Sequence, residues 1–487
     1  MTVLVVGGGI TGLASAYTLG KAGIPTLLLE GSARLGGKVR TETVDGFVIE
    51  HGPDSFVTYR PAGIALCREL GLGEAMVVPL EPRTVFVRAR GRFFRFPEGM
   101  GLVLPTKLRP FLASDLFSPL EKLRMGLDLV LPRDGQAGDI AVGPFLRRRL
   151  GRALVDRLAG PLIGGVYGAP IDELSLDAVV PQLRASERRH RSLLLASLAE
   201  ARARARITRA SGTDGNARER GHAAAPPPPF VTLAGGTGQL VDALVAAVRA
   251  MSSVEVRTGV AVEHIEVSGA GAGVTVGLAG GERIHGEAVI LATPARVTAT
   301  LLDAGAPEAS RHLRAITHGT TAVVNLAYRD DQLPAGLTGH GFVVADGEPL
   351  TINACTLSSR KWPGRAPDGT LLVRAFIGSG AGRVHQGSDE SLIEAAHRDV
   401  AGTLGIRGRP ILALVSRYPD AMPHYTVGHL GHVAAAEAAL APFPAVRLAG
   451  AAYRGAGLPD CIGQGQAAAD ALIGLLSRGE AILEPEP

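Results

Sequence analysis

Cysteine is scarce: Cys67, Cys355 and Cys461 are the only three in 487 residues. Thiols odd in number and far apart cannot make a disulfide framework, and they lack the paired spacing of a zinc site. A reducing compartment is therefore expected. Long apolar runs are missing as well. No stretch of about 18 uncharged apolar residues occurs, which argues against a transmembrane helix and leaves surface attachment open. An apolar strand begins almost at position 1 with no charged leader before it, so the chain is read as intracellular and cytoplasmic. The thirteen histidines are scattered. No metal-ligand cluster, Ser-His-Asp arrangement or pair of catalytic carboxylates emerges, and neither a catalytic side chain nor a metal ligand is assigned. Net charge is +4, its basic part nearly all arginine. That balance favours anionic ligands, but no basic-aromatic module or zinc finger accompanies it, and nucleic acid is not an expected partner.

What is present describes a large folded chain. Apolar residues make up 46% and charged residues 20%, which excludes global disorder, and the length exceeds one hydrophobic core, so two or three domains are expected. The 64 glycines point to tight turns and to close approach of backbone to ligand. Thr2 to Val6 reads as a strand, Gly7-Gly8-Gly9-Ile10-Thr11-Gly12 as a turn, Leu13 to Ala22 as a helix, and Thr26 to Leu29 as a second strand ending at Glu30. Gly7, Gly9 and Gly12 have the spacing for a tight turn, approach of a pyrophosphate, and helix-on-strand packing. Amides of Gly8, Ile10 and Thr11 open the helix, whose positive end suits phosphate, and Glu30 suits a ribose.

A second glycine turn, Arg34-Leu35-Gly36-Gly37-Lys38, follows at once. Nicotinamide folds have no need of it, and it suits a longer flavin dinucleotide. Near the C-terminus a strand to Ala449 leads into Gly455, Ala456, Gly457, Leu458 and Pro459, then a helix opening near Asp460. That helix N-terminus is suited to stabilise charge on a reducing isoalloxazine. Between these segments, Arg83 to Phe96 alternates as a hairpin turning at Arg90-Gly91-Arg92, and residues 100 to 200 read as mainly helical. Arg147 to Arg149 and Arg188, Arg189 and Arg191 lie close to leucines 193 to 195, read as exposed; this is either a membrane-resting basic helix or a solvated face. Residues 201 to 229 are low in complexity and read as a flexible insertion. Phe230 restarts a strand-turn-helix, and a β-rich block runs from about 300 to 416.

GGGITG, Glu30, RLGG and the closing glycine turn together resemble the flavin amine-oxidase superfamily. Further segments resemble oxygen-dependent protoporphyrinogen/coproporphyrinogen oxidases: Glu50-His51-Gly52-Pro53-Asp54-Ser55-Phe56, Gly164-Gly165-Val166-Tyr167-Gly168 with Leu174-Ser175, His190 to Leu193, Met422-Pro423-His424-Tyr425, and Asp460-Cys461-Ile462. The resemblance implies an α/β (α+β) chain. Its FAD-binding domain is Rossmann-like and discontinuous (1–82, 230–299, 417–487), its substrate-binding domain has a mixed sheet (83–98, 300–416), and its helical domain (99–200) faces a membrane.

One noncovalent FAD per chain is implied. Gly7 to Gly12, Glu30, Arg34, Gly37 and Lys38 would meet its phosphate, ribose and ribityl groups, and Gly52, Pro53, Asp54 and Ser55 would run under its ring. Val260 stands at the adenine position, Tyr418 beside the ring, and Ala456, Gly457 and Leu458 at the pyrimidine edge. The implied reaction takes a porphyrinogen to a porphyrin, in heme biosynthesis, by three two-electron steps. A meso hydride passes to flavin N5 in each, and O2 reoxidises the cofactor to give H2O2. Arg83 resembles the propionate-binding arginine, with Arg88 or Arg90 as alternatives. Gly164 and Gly165 would accept from pyrrole N–H groups, and Phe342, Val343, Leu357 and Phe376 would form the pocket walls. Another flavin oxidase, acting on amines or carotenoids, and a non-catalytic flavoprotein are the rival readings. Preference between the two porphyrinogens, a homodimer and peripheral membrane contact are left open.

Overall fold

The computed structural model describes residues 1–101, 103–133, 135, 138–210, 229–267, 273–378 and 387–483. They fall into two compact units. The first comprises Met1–Val78, Pro229–His318 and His429–Pro487, and the second Pro79–Pro228 and Gly319–Gly428.

The first unit is built on the predicted βαβ start. Strand β1 (Val3–Val6), helix α1 (Ile10–Lys21) and strand β2 (Thr26–Glu30) occur in that order. They belong to a five-stranded parallel sheet ordered Val254–Thr258, β2, β1, Ala288–Leu291, Val446–Leu448. A parallel sheet is covered on both faces, and β1 is apolar at every position for that reason. Val3 and Val5 face one core with Leu13, Leu19, Leu240 and Ile462, while Leu4 and Val6 face the other with Ile265, Leu301, Leu313 and Val433. That second core explains why this unit runs on to His318, beyond the expected boundary at 299. Helix Pro307–Arg314 seals the sheet with Ala309 and Leu313.

The second unit holds a seven-stranded mixed sheet ordered Leu412–Pro423, His318–Arg329, Thr370–Ile377, Ala354–Leu357, Gly341–Val344, Val85–Ala89, Arg92–Arg95. The predicted hairpin is there, with Arg90 and Gly91 both at positive φ in its two-residue turn. Side chains alternate across the sheet. Phe342, Cys355, Leu357, Val373 and Ala375 meet helix Asp389–Leu404 in one core. Val87, Ala89, Phe94 and Ala345 join the helical segment in another. The segment expected as a separate domain at 99–200 thus shares a core with the hairpin.

Two sequence expectations about the helical segment are corrected. Leu193 and Leu194 are buried, leaving only Leu195 of the three exposed. Arg149 is 0% exposed rather than solvated. Its guanidinium donates to Asp128 Oδ1 at 2.6 Å and to Pro132 O at 2.8 Å, with Glu187 at 3.5 Å. Ser192 Oγ and the Leu194 amide donate to the other Asp128 oxygen at 2.6 and 2.9 Å. The leucines turn inward because this charge cluster anchors the loop that carries them. A third correction concerns residues 201 to 210, which continue helix Leu193–Ala210 instead of opening a flexible insertion. Alanine and arginine are both strong helix formers. The remainder of that insertion, 211–228, lies outside the described residues. Among the described residues, no helix is long and apolar enough to cross a membrane.

Removing one partner of a buried ion pair strands the other. Asp128→Ala should cost about 3–5 kcal/mol of stability, read from the urea unfolding midpoint, and Asp128→Leu combined with Arg149→Met should recover most of it. A loss below about 1 kcal/mol would show that Glu187 satisfies Arg149 without Asp128.

Candidate functional site

The glycine turn after β1 is built by backbone proximity. A Cβ on Gly12 would lie 1.8 Å from Gly7 O, so no other residue lets α1 start this close to the strand. Gly9 behaves differently: it is extended (φ −70, ψ 179), and a Cβ there meets nothing within 4 Å. Space over Gly9 is therefore open to a ligand. No side chain caps α1, and its first turn holds no acidic residue. Its positive end and first-turn amides thus face that space, while the Gly8 amide ahead of them donates to Glu30. Ile10 and Thr11 have buried side chains, so contact at these positions falls to their amides.

Glu30 is tied to the same turn. One carboxylate oxygen accepts from the Gly8 amide at 2.7 Å and the other from the Ser32 amide at 2.8 Å. The second glycine turn docks beside it, through Gly36 N to Gly8 O at 2.8 Å and a bridge pairing Gly9 with Gly36. Arg34 works inside this turn. Its guanidinium donates to the carbonyls of Leu35 (2.9 Å), Val39 (3.1 Å) and Gly37. Its observed role is to shape the loop. Val260 lies at the far side of Glu30 and donates its N–H to Glu30 O at 2.9 Å.

The tail segment reaches the first turn through α1. Ser15 Oγ lies 3.0 Å from Thr11 O and 3.1 Å from Gly465 O, and a Cβ on Gly465 would sit 2.4 Å from Thr11 O. Cys461, in the first turn of helix Leu458–Leu483, hydrogen-bonds Thr11 and is coupled electrostatically to Lys38. Burial pushes the Cys461 thiol up to about 11, and burial lowers the Lys38 ammonium from its ordinary value. Leu458 is buried, and the Cys461 amide donates to Gly457 O at 2.9 Å. Ala456 O lies 3.8 Å from Cys461 Sγ. Gly52, Pro53, Asp54 and Ser55 are half-buried, with Ser55 Oγ donating to Asp54 Oδ1 at 2.8 Å. The first turn, the second turn and the tail thus meet around Thr11, Lys38 and Cys461. Cys461 belongs to the Asp460-Cys461-Ile462 segment expected near the flavin, whereas Gly465 was not expected there, and only the contact of its helix with α1 identifies it.

The remaining predicted residues belong to the second unit. Tyr418 is half-buried on the edge strand Leu412–Pro423. Val343, Ala354 and Phe376 stand in register across three strands on one face, and Phe376 stacks under Arg374 at 5.1 Å. Phe342 and Leu357 point the other way, 3% and 1% exposed, into the core with helix Asp389–Leu404. Their assignment as pocket walls is corrected, because strand alternation puts neighbours on opposite faces. Gly164 ends a π-helix, Val155–Gly164, and Gly165 follows it. The segments around them converge: Tyr167 meets Tyr425 at 5.5 Å, Leu174 bridges Thr426, and the Ser175 amide donates to Tyr425 O at 2.7 Å. His424 is held below the ordinary imidazole range by burial. Arg83 is partly exposed and paired with Glu81 at 2.8 Å.

The glycine turn and its surroundings fit a dinucleotide, since Gly9 leaves space that a Cβ would fill and α1 presents bare amides. Gly9→Val is accordingly expected to fold with an unchanged urea midpoint yet retain no flavin. Gly12→Ala should lower that midpoint in the apoprotein too. A yellow Gly9→Val protein, measured by absorbance per chain, would remove Gly9 from the ligand site.

Comparison with known proteins gives a consistent set of relatives. A family model described as flavin containing amine oxidoreductase matches residues 10–473. Coproporphyrinogen III oxidase of Propionibacterium freudenreichii subsp. freudenreichii is 42% identical, over 97% of this chain and 90% of that protein. The Bacillus subtilis (strain 168) protein of the same name is 34% identical over 98% of both chains, and Bos taurus protoporphyrinogen oxidase is 32% identical over 97% and 98%. A crystal structure from Exiguobacterium sp. 255-15, provisionally assigned as a protoporphyrinogen oxidase, superposes with TM-score 0.80 at 32% identity, over 97% of this chain and 98% of that one.

Proposed function

The chain belongs to the flavin containing amine oxidoreductase family, and on that premise we propose that it is an FAD-dependent oxidase converting a porphyrinogen to its porphyrin in heme biosynthesis. The observation that carries this reading is the reach of the 42% match, which spans both units and not the nucleotide turn alone. Among porphyrinogens, coproporphyrinogen III is the preferred substrate in this reading, supported by the names of the 42% and 34% identical relatives.

Bound FAD supplies the two-electron acceptor, used three times per macrocycle and restored by O2 with release of H2O2. The chain's own residues have other work. Amides from Gly9 to Gly12 hold pyrophosphate oxygens at the start of α1, the Gly8 amide holds Glu30, and Glu30 takes a ribose hydroxyl. Lys38, Gly37 and the Gly52 to Ser55 segment place the ring, with Val260 at the adenine end and Ala456, Gly457 and Leu458 at the opposite edge. The flavin is held without a covalent bond. A Cys461 thiol raised to about 11 supports this, because it leaves little thiolate near neutral pH. Arg83 pairs a propionate, exchanging its Glu81 partner for the substrate carboxylate. Val343 and Phe376 give the apolar wall, and the Gly164 and Gly165 carbonyls accept pyrrole N–H groups. A peripheral membrane contact is supported by Leu112, Leu120, Leu123 and Val130, all more than half exposed in the helical segment.

Anaerobic mixing with coproporphyrinogen III should bleach the flavin band, and air should restore it with H2O2 released. A bound flavin that never bleaches with either porphyrinogen would overturn the assignment. Arg83→Ala should lower kcat/KM through KM, by about 1–3 kcal/mol for the unpaired carboxylate, and an unchanged KM would take Arg83 out of the site. Phe342→Ala should instead cost about 3–5 kcal/mol of stability with KM unaltered in the folded fraction.

A further inference from the structure

Glu50 ends strand Phe47–Glu50, opposite Thr41 on its antiparallel partner, and is 2% exposed. Its carboxylate accepts from the Thr237 amide at Oε1, 2.7 Å away, and from Thr237 Oγ1 and Thr41 Oγ1 at Oε2, 2.9 and 2.7 Å away. Thr41 Oγ1 in turn accepts from the Gly238 amide at 2.7 Å. These amides open helix Gly238–Arg249, which has no cap from its own N-cap side chain and no acidic residue in its first turn. A carboxylate 187 positions away supplies that function instead. Gly236, at φ +92, permits the approach, since a Cβ there would sit 2.9 Å from Glu50 Oε1. The Gly235-Gly236-Thr237-Gly238 turn therefore resembles a phosphate turn but is filled by the protein's own anion.

The same threonine reaches the flavin segment. Thr237 Oγ1 also donates toward Pro53 O at 2.8 Å, its one proton shared between that carbonyl and Glu50 Oε2 at 2.9 Å. We propose that Glu50 and Thr237 act as a positioning clamp that locks the Gly52 to Ser55 segment to the start of helix Gly238–Arg249, so that this segment presents a fixed backbone to the flavin ring. The clamp rests on the reading that Gly52 to Ser55 lie against that ring. Both residues are buried, 2% and 1% exposed. They act through Pro53, and a loose segment would pay in ring binding what it gains in freedom.

The test uses purified holoprotein and three variants, Glu50→Gln, Thr237→Val and Thr237→Ser, with FAD dissociation constant and visible circular dichroism of bound flavin as readouts. Thr237→Val is close in volume and loses only the hydroxyl, so it remains informative where Glu50→Gln fails to fold. Glu50→Gln and Thr237→Val are expected to weaken FAD binding about tenfold and to change the flavin dichroism, while Thr237→Ser keeps both near the parent values. Unchanged FAD affinity and dichroism in Thr237→Val, whatever its urea midpoint, would reduce the cluster to a structural cap and overturn the clamp, leaving the porphyrinogen assignment standing. A parent protein that binds FAD but oxidises neither porphyrinogen would sink that assignment while the clamp is still judged by the dichroism. A parent protein without affinity for FAD would sink both.

Discussion

Everything in the nucleotide unit follows from how near α1 can come to the end of β1. With Gly7 O only 1.8 Å from where a Gly12 side chain would begin, the helix N-terminus is held against the strand, and its amides emerge over Gly9. Glu30 then falls within 2.7 Å of the Gly8 amide, and the second glycine turn docks on the first. One missing side chain thus sets the position of an anion-accepting surface, the ribose carboxylate and the loop that extends the site.

Buried polar groups do a different job in each unit. In the nucleotide unit, Glu50 ties Thr41, on its own hairpin, to Thr237, 187 positions away. In the other unit, Asp128 and Arg149 fix the loop from which helix Leu193–Ala210 departs. Both are fully hydrogen-bonded, as burial of charge demands. Both also show that a charged residue in a sequence says little about exposure until its partner is known.

That contrast explains what could be read in advance. The βαβ start, its glycines and Glu30 lie within thirty residues of one another, and local chemistry determines their arrangement. The hairpin at Arg90-Gly91 was legible for the same reason. Phe342 and Val343 were not separable, because which of two neighbours faces the core depends on the pairing of Gly341–Val344 with strands at 85 and 354. Arg149 looked like part of a basic surface run, since nothing local marks Asp128 as its partner. Gly465 gained its meaning only from the packing of its helix against α1, 450 positions from Ser15.

The pairing of α1 with helix Leu458–Leu483 also has a temporal side. During synthesis β1, α1 and β2 leave the ribosome early, but the edge strand Val446–Leu448 and the helix that covers Thr11 and Ser15 come more than four hundred residues later. A nascent chain therefore carries a bare α1 face for most of its translation. Cofactor loading on this scaffold waits until helix Leu458–Leu483 has been made, and a stalled or truncated product lacking it would be an early target for chaperones and proteases.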